Sequence, residues 1–173
     1  YADTWGAMEG LQRAGLVKRI GVCNLNVSML REVLNTASIR PAVHQFEAHP
    51  YLTQERQVRF CQSEGIAVTA FSPLGAPSYL PLGMARSEES VLVDPVVTGI
   101  AAALGRTPAQ VVLRWGVQRG CAVIPKAQDP VHVRENAQVF EFSLSEAQMR
   151  AILKTAVDAI ITINDQGMIE LFN

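Results

Sequence analysis

Helical and strand patterns alternate along this chain, and that alternation constrains its fold more than any other feature. Asp3 or Thr4 can cap a first helix, in which Trp5, Met8, Leu11 and Gln12 fall at helical spacing and which Gly15 ends. Residues 16–24 (LVKRIGVCN) read as a strand, and Asn26 caps a helix running to about Ala37. Residues 41–51 (PAVHQFEAHPY) form a second strand, and Thr53 caps a helix that stops at Gly65. Residues 66–72 (IAVTAFS) form a third strand, continuous and apolar enough to be buried on both faces. A long loop, residues 73–93, follows. Asp94-Pro95 opens a helix that ends at Gly105. Thr107-Pro108-Ala109-Gln110 is a capping box with proline at the first helical position, and its helix runs to Gly120. Residues 121–126 (CAVIPK) form a fourth strand, Asp129-Pro130 opens a short helix, and Ser145 with Gln148 is another capping box. Up to residue 152 no two strands are consecutive, so the strands pair in parallel under a cover of helices.

In β/α barrels chemistry sits at the carboxyl ends of the strands. All four strands here end on polar groups: Asn24; Gln45, Glu47 and His49; Ser72; and Lys126. Each residue alone has an ordinary reading. Gln45 fits a satisfied core amide, Ser72 a turn or helix cap, and Lys126 solvated surface. Four strands ending this way point to a ligand site, and Lys126, the one cation among them, points to a ligand with a negative group.

Charge and cysteine usage remove several function classes. Fifteen Lys and Arg against sixteen Asp and Glu leave a net charge of −1, so no basic field exists to hold nucleic acid or an anionic membrane. A hydrophobic share of 49% with 18% charged residues is globular and excludes a largely disordered chain. The longest uncharged run, residues 65–85, carries Pro73, Gly75, Pro77, Pro81 and Gly83 and reads as strand then loop, not as a membrane helix. The opening residues have neither a basic region nor an apolar signal core. Cys23, Cys61 and Cys121 are odd in number and far apart, which fits reduced thiols, small buried hydrophobes, in a cytoplasmic protein. No G-x-G-x-x-G occurs. His44, His49 and His132 lack a spacing with acids that would make a metal site.

Several segments closely resemble the second half of an aldo-keto reductase. They are residues 16–24 (LVKRIGVCN), 43–54 (VHQFEAHPYLTQ), 66–75 (IAVTAFSPLG), 109–119 (AQVVLRWGVQR), 124–126 (IPK) and 134–142 (RENAQVFEF), in the family's order and spacing. The run LRWGVQRG is similar to sugar- and polyol-reducing members. The resemblance implies an eight-stranded β/α TIM barrel that reduces carbonyls with NADPH, with NADH as the alternative. This chain would supply the C-terminal half of that barrel over residues 1–152, as four parallel strands alternating with helices. The resemblance also implies cofactor contacts. Asn24, the position of Cys23 and Gln45 would bind the nicotinamide carboxamide, and Phe71 would stack on the nicotinamide ring. Ser72, Leu74 and Gly75 would open a loop over the pyrophosphate. Lys126 would reach the phosphate on the adenosine ribose, and Glu135 and Asn136 would meet the adenine. Elementary chemistry agrees: an amide offers a donor and an acceptor to another amide, and an ammonium suits a dianionic phosphate.

The departures from the family are Cys23 for its usual Ser, Phe71 for its more common Tyr, Ala127 for a phosphate-binding Ser, and His132 for an Arg that clamps the phosphate. His44 replaces a common Asn and carries no implied role. The family's catalytic Asp, Tyr, Lys and His come from the first half of its barrel and have no match here, so no catalytic residue is assigned. Without a proton donor the chain alone is expected to be inactive. Four strands cannot close a barrel, and the two outer edges are expected to drive self-association.

Residues 153–173 (LKTAVDAIITINDQGMIELFN) resemble the opening of a PAS sensor domain. They read as a strand at 159–164, a turn at Asp165-Gln166-Gly167 and a strand at 168–172, a β-hairpin-like segment. A diverged reductase C-terminus is the other reading of this tail. For the whole chain, a non-catalytic cofactor-binding regulator and a piece of a PAS-containing signalling protein stand beside the reductase.

Overall fold

A computed structural model describes residues 2–155, 160–163 and 169–172. Four strands, β1 (Gly21–Cys23), β2 (Val43–Glu47), β3 (Ala67–Phe71) and β4 (Cys121–Val123), form one sheet in the order β1-β2-β3-β4. All three pairings are parallel, in the registers Cys23↔Gln45, Gln45↔Thr69 and Thr69↔Ala122. The helices between them are α1 (Ala2–Arg13), α2 (Val27–Thr36), α3 (Glu55–Ser63), α4 (Pro95–Leu104), α5 (Pro108–Gln118), α6 (Pro130–Ala137) and α7 (Glu146–Leu153). The expected alternation of parallel strands and helices is therefore present.

Local capping chemistry sets most helix starts. The Asn26 side chain accepts from Met29 N, Asp94 from Val96 N, and Asp129 from Val131 N. Thr107 with Gln110, and Ser145 with Gln148, form the two reciprocal capping boxes. Two expected caps differ. The first helix already begins at Ala2, so Asp3 lies inside its first turn, where its charge complements the helix dipole. The α3 helix starts after Gln54, which is left-handed (φ +50°) and makes no side-chain cap, not after Thr53. The Thr53 carbonyl instead accepts from Arg119 Nη2 at 2.8 Å, and the same guanidinium pairs with Glu55 at 2.7 Å. The guanidinium of the residue that caps α5 thus fixes this entry.

The strands are shorter than the apolar runs that announce them, because pairing ends where the neighbour ends. Residues 16–20 precede β1, and Leu16 is 73% exposed. The expectation that the third strand is buried on both faces does not hold. Val68 and Ala70 are buried, whereas Ala67 is exposed and Thr69 and Phe71 are half-buried. Along β2, His44 and Phe46 are buried while Val43, Gln45 and Glu47 are half-buried. The pleat puts alternate residues on opposite faces, and the described helices cover one face only. Residues 73–93 are not a structureless loop but hold four 3-10 turns, at Ala76–Ser78, Leu80–Leu82, Ser87–Glu89 and Val91–Val93. The cysteines also divide: Cys61 and Cys121 are buried, and Cys23 is exposed.

The covered face packs on a core that includes Trp5, Leu30, Val33, Val58 and Cys61 from α1 to α3. Full burial of one such side chain as Leu30 contributes about 2 kcal/mol. Trp5 also donates from its indole N–H to Ile39 O at 3.1 Å. A second core joins α4, α5 and α7 through Val97, Val112, Trp115 and Ile152. Beyond α7, Ile160–Ile163 pairs antiparallel with Ile169–Phe172 in a separate two-stranded sheet. The turn expected at Asp165-Gln166-Gly167 lies outside the described residues.

Gly21 shows how closely β1 and β2 approach. A Cβ added there would lie 2.6 Å from Val43 O. Gly21→Ala is therefore expected to destabilise the chain by about 1–3 kcal/mol, the usual range for overpacking. Urea unfolding of the two proteins measures it, and an unchanged midpoint would contradict so tight an approach.

Candidate functional site

The carboxyl end of the sheet gathers most of the residues singled out from the sequence, in two adjoining groups. Asn24 directly follows β1 in a left-handed conformation (φ +53°), and its backbone N–H donates to Gln45 O at 2.9 Å. Cys23 and Gln45 lie opposite each other in the β1–β2 register, and Glu47 lies opposite Phe71 in the β2–β3 register. A cleft of about 320 Å³ has Asn24, Phe71, Glu47 and Gln57 in its walls. An exposed amide and a half-buried aromatic ring therefore share one cleft.

The second group lies across β3 and β4. Ser72 follows β3 with φ +44°, and the chain turns back at once, Gly75 N donating to Ser72 O at 2.8 Å. A cleft of about 350 Å³ is lined by Pro73, Leu74 and Pro77 on one side and by Lys126, Ala127, Asp129 and His132 on the other. Lys126 and His132 are exposed, so the cleft presents an ammonium and an imidazole to solvent. Glu135 and Asn136, half-buried, sit one turn further along α6 and are not among the cleft-lining residues. The Glu135 carbonyl accepts from Gln110 Nε2 at 3.0 Å, which ties this end of α6 to α5.

A third feature that the sequence did not reveal lies between the two groups. The Tyr79 side chain stands near Glu47 and Ser72. Burial pushes this phenol above its usual pKa, and the Glu47 carboxylate pushes it the same way. His49 Nε2 lies 3.2 Å from Glu47 Oε1. Burial holds the His49 imidazole below its ordinary pKa despite the opposing pull of Glu47, so it is neutral at pH 7 and donates from Nε2. Its Nδ1 is buried and makes no protein hydrogen bond. The ring packs on Gly75, where an added Cβ would stand 3.4 Å from it. Glu47 and His49 were legible as polar strand-end residues, but Tyr79 lies in the 3-10 turns of residues 73–93, and no local pattern aims it at Glu47.

Tyr51 secures the far end of that segment. Its hydroxyl donates to Asp94 Oδ2 at 2.8 Å, while Asp94 Oδ1 caps α4. Burial first, and then the Asp94 carboxylate, push the Tyr51 phenol up to about 12. Among the described residues no group of three His, Cys, Asp or Glu could hold a metal ion, and no single helix is long and apolar enough to cross a membrane.

Parallel strands alternating with helices, with amide, aromatic and cationic side chains gathered at the strands' carboxyl ends, are the architecture of a β/α barrel. Comparison with known proteins gives the family: the Aldo/keto reductase family profile matches residues 1–156, and the chain belongs to that family. It is 46% identical over 165 residues to a probable NAD(P)H-dependent D-xylose reductase of Emericella nidulans, covering 94% of this chain and 51% of that protein. It is 45% identical over 152 residues to aldo-keto reductase family 1 member A1-A of Danio rerio, covering 88% of this chain and 46% of that protein. The solved aldose reductase of Schistosoma japonicum superimposes with a TM-score of 0.81 at 35% identity, covering 96% of this chain and 51% of that chain. This chain spans about half the length of the relatives it matches.

Raising the phenol's pKa in the folded state makes Tyr51 a pH-dependent element of stability. Its contribution is complete below the unfolded value of about 10 and is lost as pH rises from there through about 12. Tyr51→Phe is expected to flatten this alkaline loss, as measured by urea midpoints at pH 9 and pH 11. A wild-type phenol titrating entirely near 10 by ultraviolet difference absorbance would contradict it.

Proposed function

We propose that this chain is the cofactor-holding part of an NAD(P)H-dependent carbonyl reductase, acting on a small carbonyl or sugar-like substrate. The observation that carries the reading is the gathering of Asn24, Gln45, Phe71, Ser72, Leu74, Gly75 and Lys126 at one end of a parallel sheet in a member of this family. Two named relatives, described as NAD(P)H-dependent D-xylose reductase and aldose reductase, support the substrate class. The donor set fits the cofactor. Asn24 and Gln45 offer amide donors and acceptors to a carboxamide, with the exposed Cys23 beside them. Phe71 offers a flat apolar face. Leu74 and Gly75 lie in the turn above the second cleft, where Lys126 offers a positive charge to a phosphate. Glu135 and Asn136, further along α6, would meet the adenine. The bound cofactor would supply hydride to a carbonyl carbon.

The same residues support inactivity of the isolated chain. The Tyr51 hydroxyl is already engaged with Asp94, and Tyr79 stands near the Glu47 carboxylate, which with burial holds its phenol protonated. Neither lies in a motif matching the family's proton donor, and hydride transfer without a donor would leave an unprotonated alkoxide. The half-covered sheet, with Ala67, Cys23 and Ala122 exposed, supports self-association of this chain.

For residues 153–173 we propose the opening of a PAS-like domain. The family profile stops at residue 156, although the D-xylose reductase and aldose reductase relatives align over 94% and 96% of the chain; what supports the reading is the antiparallel pairing of Ile160–Ile163 with Ile169–Phe172. Sequencing the parent transcript past Asn173 is expected to reveal the rest of a PAS core; an immediate stop codon would overturn it.

Equilibrium titration of the 173-residue chain with NADPH is expected to saturate, and Lys126→Ala to weaken NADPH roughly tenfold while leaving NADH nearly unchanged. Carbonyl-dependent NADPH oxidation is expected to stay far below the ordinary enzymatic range of about one per second or more. Absence of saturable binding at millimolar cofactor would overturn the cofactor reading, and ordinary turnover would overturn the inactivity. In light scattering the same preparation is expected to exceed monomer mass, and a monodisperse monomer would contradict self-association.

A further inference from the structure

His44 is fully buried in the middle of β2, and the role proposed above for the strand ends leaves it unused. Its Nε2 lies 3.2 Å from Leu25 N. A backbone N–H can only donate, so Nε2 accepts and the proton of the neutral ring sits on Nδ1. Two groups face Nδ1: Gln57 Nε2 at 3.3 Å and Cys61 Sγ at 3.5 Å. The Gln57 amide nitrogen is itself a donor, and it donates to Leu25 O. The Nδ1–H therefore points to the sulfur of Cys61, a weak acceptor. Burial pushes the Cys61 thiol up to about 11, which keeps that sulfur protonated and neutral.

Both backbone groups of Leu25 are thus held by side chains from other elements, its N–H by His44 on β2 and its carbonyl by Gln57 on α3. Leu25 comes directly after Asn24, which is left-handed at φ +53° and lies in the cleft wall with Gln57 and Phe71. Asparagine tolerates this conformation better than most non-glycine residues, and here its two neighbouring backbone groups are also held. The Asn24 backbone N–H is held on the other side by Gln45 O.

We propose that His44 and Gln57 clamp Leu25 and thereby set the Asn24 turn, which makes His44 a positioning residue for the candidate cofactor site. What the turn is positioned for rests on the cofactor reading above; the clamp itself does not. The clamp requires the neutral imidazole, because a proton on Nε2 would set one N–H against another. Burial lowers the His44 pKa to about 4. The groups facing the ring are Leu25 beyond β1, Gln57 and Cys61 on α3, Val68 in register on β3, and the Phe46 ring on its own strand at 4.8 Å. Of these, Cys61 alone titrates, and it does so far above neutral pH.

Nitrogen-15 NMR of the histidine rings in the 173-residue chain tests the clamp without cofactor. At pH 7 His44 is expected as the Nδ1–H tautomer. The Leu25 amide signal is expected to hold steady as pH falls from 7 to 5 and to move only near 4. The Nε2–H tautomer, or a Leu25 amide that moves with a midpoint near 6.5, would overturn the proposal. NADP+ titration then tests the positioning. A Gln at position 44 can return an acceptor oxygen near the place of Nε2, and a Leu cannot. His44→Leu is expected to weaken binding about tenfold, the usual effect of one buried hydrogen bond, and His44→Gln to restore most of it. Equal affinity of His44→Leu and the wild type would overturn the positioning role. A wild type with the expected tautomer and no NADP+ binding would overturn the cofactor reading and leave the clamp standing.

Discussion

The pleat of β2 is the constraint on which the rest of the molecule depends. Alternate residues of this five-residue strand point to opposite faces, so His44 and Phe46 enter the helix-covered core while Val43, Gln45 and Glu47 stand on the other face. A slip of one residue in its pairing would exchange the two sets. The core would then receive an amide and a carboxylate, and the opposite face of the sheet would lose both. Hydrophobic burial of Phe46 and its neighbours therefore fixes not only the packing of α1 to α3 but also the identity of the polar groups at the sheet's end. Gly21 serves the same register from β1, since its missing side chain lets Cys23 come level with Gln45.

Local chemistry was readable from the sequence and long-range contact was not. The caps at Asn26, Asp94, Thr107, Asp129 and Ser145 each need only a side chain and a backbone N–H two or three residues away, and all five are present. The start of α3 departs from the Thr53 cap that its sequence suggests because it depends on Arg119, which approaches from the end of α5. The third strand suggests burial on both faces because Ala67, Thr69 and Phe71 are apolar or small enough to be buried. Burial of that face needs a covering layer, and none of the described helices supplies one.

The candidate site divides in the same way. Polar residues that end apolar runs stand out in a sequence, and Asn24, Gln45, Ser72 and Lys126 were legible on that ground. The contacts that hold them were not. Gln57 looks like a surface residue in the polar sequence of α3, yet it is buried and donates to Leu25 O. Tyr79 sits among prolines and glycines whose turns leave no period to read. His44 falls in the middle of an apolar strand, where a lone imidazole suggests no partner until β2 is set beside Leu25.

The described non-glycine residues with left-handed backbone are Asn24, Gln54 and Ser72, and all three lie at the carboxyl end of the sheet. Such conformations are costly, of order 1–3 kcal/mol each outside the residue types that tolerate them, and they persist only where neighbours leave no alternative. Each has an identifiable hold. Leu25, next to Asn24, is gripped by His44 and Gln57; Thr53, next to Gln54, by Arg119; and Ser72 by Gly75 N. The holds at Leu25 and Thr53 come from β2, α3 and the residue that caps α5, which meet only after the sheet has formed, whereas the hold at Ser72 is local to its turn. The turns at Asn24 and Gln54 are therefore a product of the completed fold rather than of local preference. That dependence also explains their location. At the strand ends the backbone leaves the ladder abruptly, which keeps Asn24 in the cleft wall and returns the chain at Ser72 through Gly75, and a relaxed extended exit would do neither.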